Sequence, residues 1–292
     1  MMAQDRRPVR DRAPQKEMRR ISVCIDDFGL HAGVNDAALR LARNGRVSAV
    51  SCLVDGDAWS TGAESLCAMP GYVEIGLHVN LTEPLPGACL QLPLGRLIAA
   101  AYMGKLDRGE VESEIRRQWL VFETSMGRAP DFVDGHQHVH QLPVVREALL
   151  DVLDEGAPTR RPWLRSTVPV ERRSGTAPPW SSRAKALLVA TLGARRLAGL
   201  AERRGYRHNR GLAGVYDFRA SDSAYLEQLY AWLAATREGD LVVCHAATDG
   251  PSSDSILPAR LREFRVLSGE DFGEYLRRHH IVICPLPSAV PT

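Results

Sequence analysis

The feature that most constrains this 292-residue chain is a repeated alternation: a short apolar run, then a stretch with helical spacing, each apolar run ending on polar residues. Short apolar runs bounded by turn signals read as buried strands, and strands alternating with helices read as parallel βαβ units. Strands are predicted at 19–25, 47–54, 73–79, 132–134, 162–165, 241–244 and 281–284. Helices are predicted at 35–44, 57–68, 109–126, 144–153, 224–235 and 272–278. No GxGxxG follows the first strand, so a dinucleotide-binding sheet loses support, and no internal repeat is visible. The expectation is an α/β fold: a distorted (β/α) barrel of about seven parallel strands in a single domain.

Composition narrows the class. A formal net charge of +2, with 25% charged and 45% hydrophobic residues, excludes collagenous, disulfide-scaffold and wholly disordered chains. It also gives no reason to expect a nucleic acid partner. No apolar stretch reaches the length of a membrane span, about 18 residues. The six cysteines form no CxxC pair and several sit in strand-like runs, which reads as reduced, buried thiols in a cytoplasmic protein. Residues 1–18 are basic and aperiodic, and read as a disordered tail ahead of a domain covering 19–292. Residues 159–210 hold thirteen Lys/Arg against two Glu. They read as an insertion at about 166–208, a loop followed by a basic amphipathic helix near 184–204. That helix is either a solvated face or a contact for an anionic surface or partner. A homodimer stays open.

In a parallel α/β fold, function gathers at the carboxyl ends of strands. Four polar clusters sit there: Asp26-Asp27, His78, the run from His136 through His138 to His140, and His245. Neighbours on a strand point to opposite faces, so Asp26 and Asp27 share a site only if the chain turns, which Gly29 permits. Three histidines at alternate positions share one face if extended, and imidazoles side by side suit a metal at neutral pH. All three cannot ligate one ion together with His78 and Asp27 and still leave room for water. Cys244 and His245 diverge on a strand, which argues against a thiol nucleophile and puts Cys244 in the core.

Together these residues resemble the YdjC-like carbohydrate deacetylase family, which includes chito-oligosaccharide deacetylases. The resemblance rests on Asp26-Asp27-Phe28-Gly29-Leu30, the stretch from Gly76 through His78 to Leu81, the stretch Asp134-Gly135-His136-Gln137-His138-Val139-His140, and Cys244-His245, in the family's order. It spans about residues 20–285, with Arg165 and the stretch 209–214 as supporting matches. Two departures stand out. Cys24-Ile25 precedes the paired Asp where the family often has Asn-Ala, and Ala246-Ala247 follows His245 where it often has Pro-Gly.

The resemblance implies a distorted (β/α) barrel holding one divalent metal ion, magnesium or zinc, on Asp27, His78 and His136. It maps Asp26 to the general base, and the general acid falls most naturally on His245. His138, His140 and Arg165 would contact substrate or support the ligands from behind. The implied reaction removes the acetyl group from an N-acetylated amino sugar and releases acetate. Three alternatives stay open: another metal-dependent amidohydrolase or phosphoesterase, a non-catalytic sugar- or partner-binding relative, and an enzyme docked at a membrane through 159–210.

Overall fold

The computed structural model describes residues 18–69, 71–156, 161–171 and 180–287. The expected tail lies outside the described residues except Met18, and so do residues 172–179 of the expected insertion. In chain order the elements are β1 (Arg19–Phe28), α1 (Ala32–Arg43), β2 (Ala49–Cys52), α2 (Trp59–Cys67), β3 (Glu74–Val79), α3 (Leu94–Tyr102), α4 (Arg108–Met126), β4 (Phe132–Gly135), α5 (Val145–Gly156), β5 (Trp163–Leu164), α6 (Trp180–Thr191), α7 (Ala194–Arg203), β6 (Leu212–Ala213), α8 (Asp222–Ala235), β7 (Leu241–Cys244), α9 (Leu257–Ser268), α10 (Glu270–Arg278) and β8 (Ile281–Ile283).

All strand pairs are parallel, and seven strands run in the order β5-β4-β3-β2-β1-β7-β6, with β8 beside the start of β1. The two outer strands are joined only irregularly. Leu164 N–H donates to Arg207 O at 2.9 Å, and Leu212 N–H donates to Val168 O at 2.7 Å. The expected distorted barrel of parallel strands is the architecture observed.

The period of two along each strand divides its side chains. One set, including Val23, Ile25, Val50, Leu77, Val133 and Val242, joins the large core shared with the helices. The other set turns inward. Cys24, Ala49, Phe132, Trp163, Leu212, Leu241 and Val243 form a separate interior cluster, closed at one end by Leu286. Phe132 stacks on Trp163 with centroids 4.3 Å apart, a pairing worth roughly 0.5–1.5 kcal/mol beyond its buried area. Beside them the Trp163 indole N–H and the Leu286 N–H each donate to Glu74 at 3.0 Å. Two residues further along these strands, the same face carries polar groups.

Several expectations need correction. The single helix over 184–204 is two helices, broken at Gly193, whose φ of 124° no L side chain adopts comfortably. Strand β6 and helices α3 and α9 were not foreseen. Cys67 and Cys89 are exposed, whereas Cys24, Cys52, Cys244 and Cys284 are buried as expected. Among the described residues no helix is long and apolar enough to cross a membrane.

Candidate functional site

Where the inward face leaves the apolar layer, it presents Asp26 on β1, Ser51 on β2, His78 on β3 and Asp134 on β4, with Arg165 just beyond β5 and His245 just beyond β7. Asp26, Asp27, Ser51, His78, Asp134 and Arg165 are all at most 2% exposed. A buried charge is costly unless paired, so their pairing describes the site.

Asp27 joins this layer through a backbone irregularity. Its φ is 69°, and the β1–β2 register shifts between Ile25 and Phe28. The chain therefore turns at Asp27 itself, two residues before Gly29, and both neighbouring carboxylates reach the same cavity. Asp tolerates the left-handed region better than most residues.

The Asp27 Oδ1 lies 2.9 Å from His136 Nδ1 and 3.3 Å from His78 Nε2. One ligand atom from each of these three residues falls within 4.8 Å of the others. His78 is oriented from behind. Its Nδ1 is 2.6 Å from Asp134 Oδ1, which also accepts from Ser51 Oγ at 2.6 Å. A carboxylate on one imidazole nitrogen leaves the other for a metal. His136 Nε2 is 3.6 Å from Glu83 Oε2.

A second acidic group, Cys24, Asp26 and Asp134, also has donors close together, but a guanidinium fills it. Arg165 forks onto Asp26 with two hydrogen bonds of 2.6 Å, lies 2.5 Å from Asp134 Oδ2 and 3.1 Å from Cys24 Sγ. Burial would raise the Asp26 pKa, but the adjacent Arg165 charge outweighs it and holds the carboxyl well below its usual range. Burial and then Asp26 and Asp134 push the Cys24 thiol up, against Arg165, so it is no nucleophile.

Three buried carboxylates, Asp26, Asp27 and Asp134, face two buried guanidiniums, Arg165 and Arg260. The remaining negative field falls on the imidazoles. Burial works against charging His78, yet Asp134, Asp27 and Asp26 raise its pKa to about 10. His136 is raised too, by Asp27 against burial. A divalent cation on Asp27, His78 and His136 would neutralise that field and displace those protons. One carboxylate and two imidazoles also leave coordination positions open, so the donor set fits a hydrolytic metal.

The three histidines after β4 do not share a face. His136–Gln141 forms a 3-10 segment in which Gln137 and His138 have φ of 52° and 61°. The extended run that a shared face requires is not formed; the chain coils back on Gly135, where a Cβ would meet His140 at 2.9–3.0 Å. His136 and His138 line the cavity. His140 is fully buried, with its Nε2 2.9 Å from the Arg165 carbonyl, and burial lowers its pKa to about 4. It contacts the Arg165 backbone and lies outside the group formed by Asp27, His78 and His136. Burial, with Arg165 next, keeps His138 neutral, and its Nδ1 has no hydrogen-bond partner among the described residues.

His245 Nε2 stands 4.0 Å from Asp26 Oδ2, and its ring packs edge-on to Phe218 at 5.1 Å. Its backbone N–H donates to Glu263 Oε2 at 2.6 Å. This bond fixes the rim where Ala246-Ala247 stands. The site opens into a cavity of about 610 Å³, whose lining includes Leu30, His31, Leu85, Tyr216, Phe218 and Arg260. Lys185 and Val189 of α6 also line it, so the basic insertion forms part of the site. Sequence reasoning gave no role to Ser51, Asp134, Glu83, Lys185, Arg260 or Glu263. Inward alternation from Ala49 could have found Ser51, and apolar spacing at Leu257, Leu261, Phe264 and Leu267 could have found α9.

Comparison with known proteins adds relationship to this geometry. The family model described as YdjC-like protein matches residues 20–278. Human carbohydrate deacetylase is 29% identical over 300 residues, covering 91% of this chain and 90% of that protein. The chitooligosaccharide deacetylase of Escherichia fergusonii is 35% identical over 133 residues, covering 44% of this chain and 52% of that protein, so the match spans about half its length. Among solved structures, a protein of Enterococcus faecalis V583 proposed to cleave cellobiose phosphate superposes with a TM-score of 0.65, at 20% identity, over 91% of this chain and 97% of that one. That likeness speaks for the fold alone.

Proposed function

The chain belongs to the YdjC-like protein family, and from that premise we propose that it is a metal-dependent hydrolase that removes the acetyl group from an N-acetylated amino sugar or oligosaccharide. The observation that carries this reading is the convergence of Asp27, His78 and His136 within 4.8 Å, in the same cavity as Asp26 and His245. The names carried by the human and Escherichia relatives, carbohydrate deacetylase and chitooligosaccharide deacetylase, support the substrate class.

A divalent cation held by Asp27, His78 and His136 would supply Lewis acidity, polarising the acetamide carbonyl and making a water acidic enough to attack. Two imidazoles suit zinc better than magnesium. The rest of the chemistry belongs to the chain. Asp26, kept ionised by the Arg165 fork, orients the attacking water and accepts its proton as the new C–O bond forms. His245 delivers a proton to nitrogen as the C–N bond breaks, because an unprotonated amine leaves poorly. His245 Nε2 is 4.0 Å from Asp26 Oδ2, a gap one water can bridge, so the proton taken at Asp26 has a path to the leaving group. The products are acetate and a free amino sugar. The six cysteines are free, in keeping with a cytoplasmic setting.

The test is acetate release from N-acetylated chitooligosaccharides by the purified chain, before and after chelation and after return of Zn²⁺ or Mg²⁺. Release that stops on chelation and returns with metal is expected. A chain that binds the metal but releases no acetate from any N-acetylated sugar would sink the reading.

A further inference from the structure

Helix α9 places two charged residues, Arg260 and Glu263, one turn apart and both buried beside the site. Arg260 makes three contacts. Its Nη2 is 2.8 Å from Asp27 Oδ2, its Nε donates to Asp254 Oδ2 at 2.7 Å, and its Nη1 donates to the His245 carbonyl at 3.4 Å. Glu263 accepts the His245 N–H at 2.6 Å and the Tyr216 hydroxyl at 2.6 Å. The backbone N–H and C=O of His245 are thus both held from one helix.

The two oxygens of Asp27 have different neighbours. Oδ1 faces His78 and His136, and Oδ2 faces Arg260. A carboxylate free to turn can offer both oxygens to a cation, taking a position that water or substrate needs in a hydrolytic centre. The Arg260 guanidinium ion-pairs with Oδ2 at 2.8 Å while its other nitrogens bond Asp254 and the His245 carbonyl, a contact that opposes that turn. The guanidinium presents three nitrogens to these separate acceptors in a fixed plane; a lysine ammonium is a single point charge on a flexible stem and does not hold that geometry.

We propose that Arg260 is a positioning residue that withholds the second oxygen of Asp27 from the cation, keeping a coordination position open, while Arg260 and Glu263 together set the distance from that centre to His245. This rests on the reading of the site as a divalent hydrolytic centre.

The experiment uses the full chain, stripped with chelator, titrated with Zn²⁺ by calorimetry and assayed for acetate release from N-acetylated chitooligosaccharide. Arg260→Ala is expected to bind Zn²⁺ as tightly as the parent or up to about tenfold tighter, with kcat down about 10–100-fold and KM within about twofold. General damage to the site would instead weaken Zn²⁺ binding along with kcat. A tenfold or larger loss of affinity in Arg260→Ala therefore overturns the proposal, as does parental kcat. If Arg260→Ala does not fold, Arg260→Lys carries the test: parental affinity with lowered kcat supports the proposal, and parental kcat overturns it. A parent chain that neither binds Zn²⁺ nor releases acetate overturns the underlying reading and this inference with it. A fully active parent with fully active Arg260 variants overturns this inference alone.

Discussion

The two halves of the site are built by different means. From β1 to β4, strand ends and the turn after β4 deliver Asp26, Asp27, Ser51, His78, Asp134 and His136, and the pleat decides which way each strand residue points. From β5 to β7, the charged or titratable groups that strand ends bring to the site, among the described residues, are Arg165 and His245. Helices and the loop after β6 add the others: α9 brings Arg260 and Glu263, α6 brings Lys185 and Val189, and the loop brings Tyr216 and Phe218. A residue on a strand has two orientations and little freedom. A residue on a helix beyond a loop is placed by that loop. On the proposed reading, the strand-borne side chains of both halves carry the chemistry, and the helix-borne ones of the second half set what approaches them and how.

The largest effects should come from the strand-borne half. Asp26→Asn is expected to keep Zn²⁺ binding and lose turnover by about 10²–10⁴-fold, the usual contribution of a general base. Asp27→Asn, in contrast, should weaken Zn²⁺ binding itself. Calorimetry on both variants checks the assignment. If Asp26→Asn loses the metal and Asp27→Asn keeps it, the two neighbouring carboxylates have exchanged roles.

Arg165 is where the halves meet, since it lies beyond β5 and binds Asp26 of β1 and Asp134 of β4. Arg165→Met would leave two buried carboxylates without their shared cation. Breaking a buried pair in this way costs about 3–5 kcal/mol, and urea unfolding should register a loss of that order. A loss below about 1 kcal/mol would mean that the two halves are held together elsewhere.

This division also explains what could be read without the structure. The strand-end residues were legible because alternation and polar termini mark them: Asp26, His78 and His245 follow from the pleat of β1, β3 and β7. The sharing of one site by Asp26 and Asp27 was legible only as a condition, since the turn lies in Asp27's own φ of 69° and Asp is not a reliable signal for it. For the run from His136 to His140, a shared face required an extended chain, and Gln137 and His138 adopt left-handed backbone instead. Arg260 lies far in sequence from Asp27, and no local pattern announces a contact that the packing of α9 creates. The charge of the basic segment was legible, but its intramolecular partners were not. Arg204 pairs with Asp151 and Asp154, Arg210 with Asp240, and Arg165 with the site itself.

A smaller effect should separate His140 from its neighbours in the same run. Its pKa falls from an ordinary value near 6.5 to about 4, because burial disfavours the charged ring. The unfolded chain therefore binds more protons than the folded one between those values, so stability rises with pH across that window. Above pH 6.5 the contribution is fully present, and it is lost as pH falls toward 4, amounting to roughly 3 kcal/mol. Urea midpoints at pH 7 and pH 4.5 should therefore lie closer together in His140→Gln than in the parent. Equal spacing would mean that His140 is not the buried neutral ring described here.

The smallest effect tests the helix-borne half. Lys185 on α6 lines the cavity, its ammonium donates to the Tyr216 carbonyl at 2.6 Å, and it lies 4.7 Å from the centroid of Phe218. An ammonium carries three donors, so the bond to Tyr216 leaves others for a sugar hydroxyl. Phe218 in turn packs against His245, which places Lys185 one ring away from the proposed proton donor. If this half selects substrate and does not perform the chemistry, removing the ammonium should weaken ground and transition states alike, which changes KM and leaves kcat. A hydrogen bond to a charged group is worth about 1.5–3 kcal/mol, and the partial burial of Lys185 puts it near the low end. Lys185→Met keeps the aliphatic packing on Phe218 and should raise KM for N-acetylated chitooligosaccharide by about tenfold, with kcat within about twofold and Zn²⁺ affinity unchanged. A fall in kcat at unchanged KM would place Lys185 among the groups that act in the transition state, and the contrast between the halves would not hold for α6.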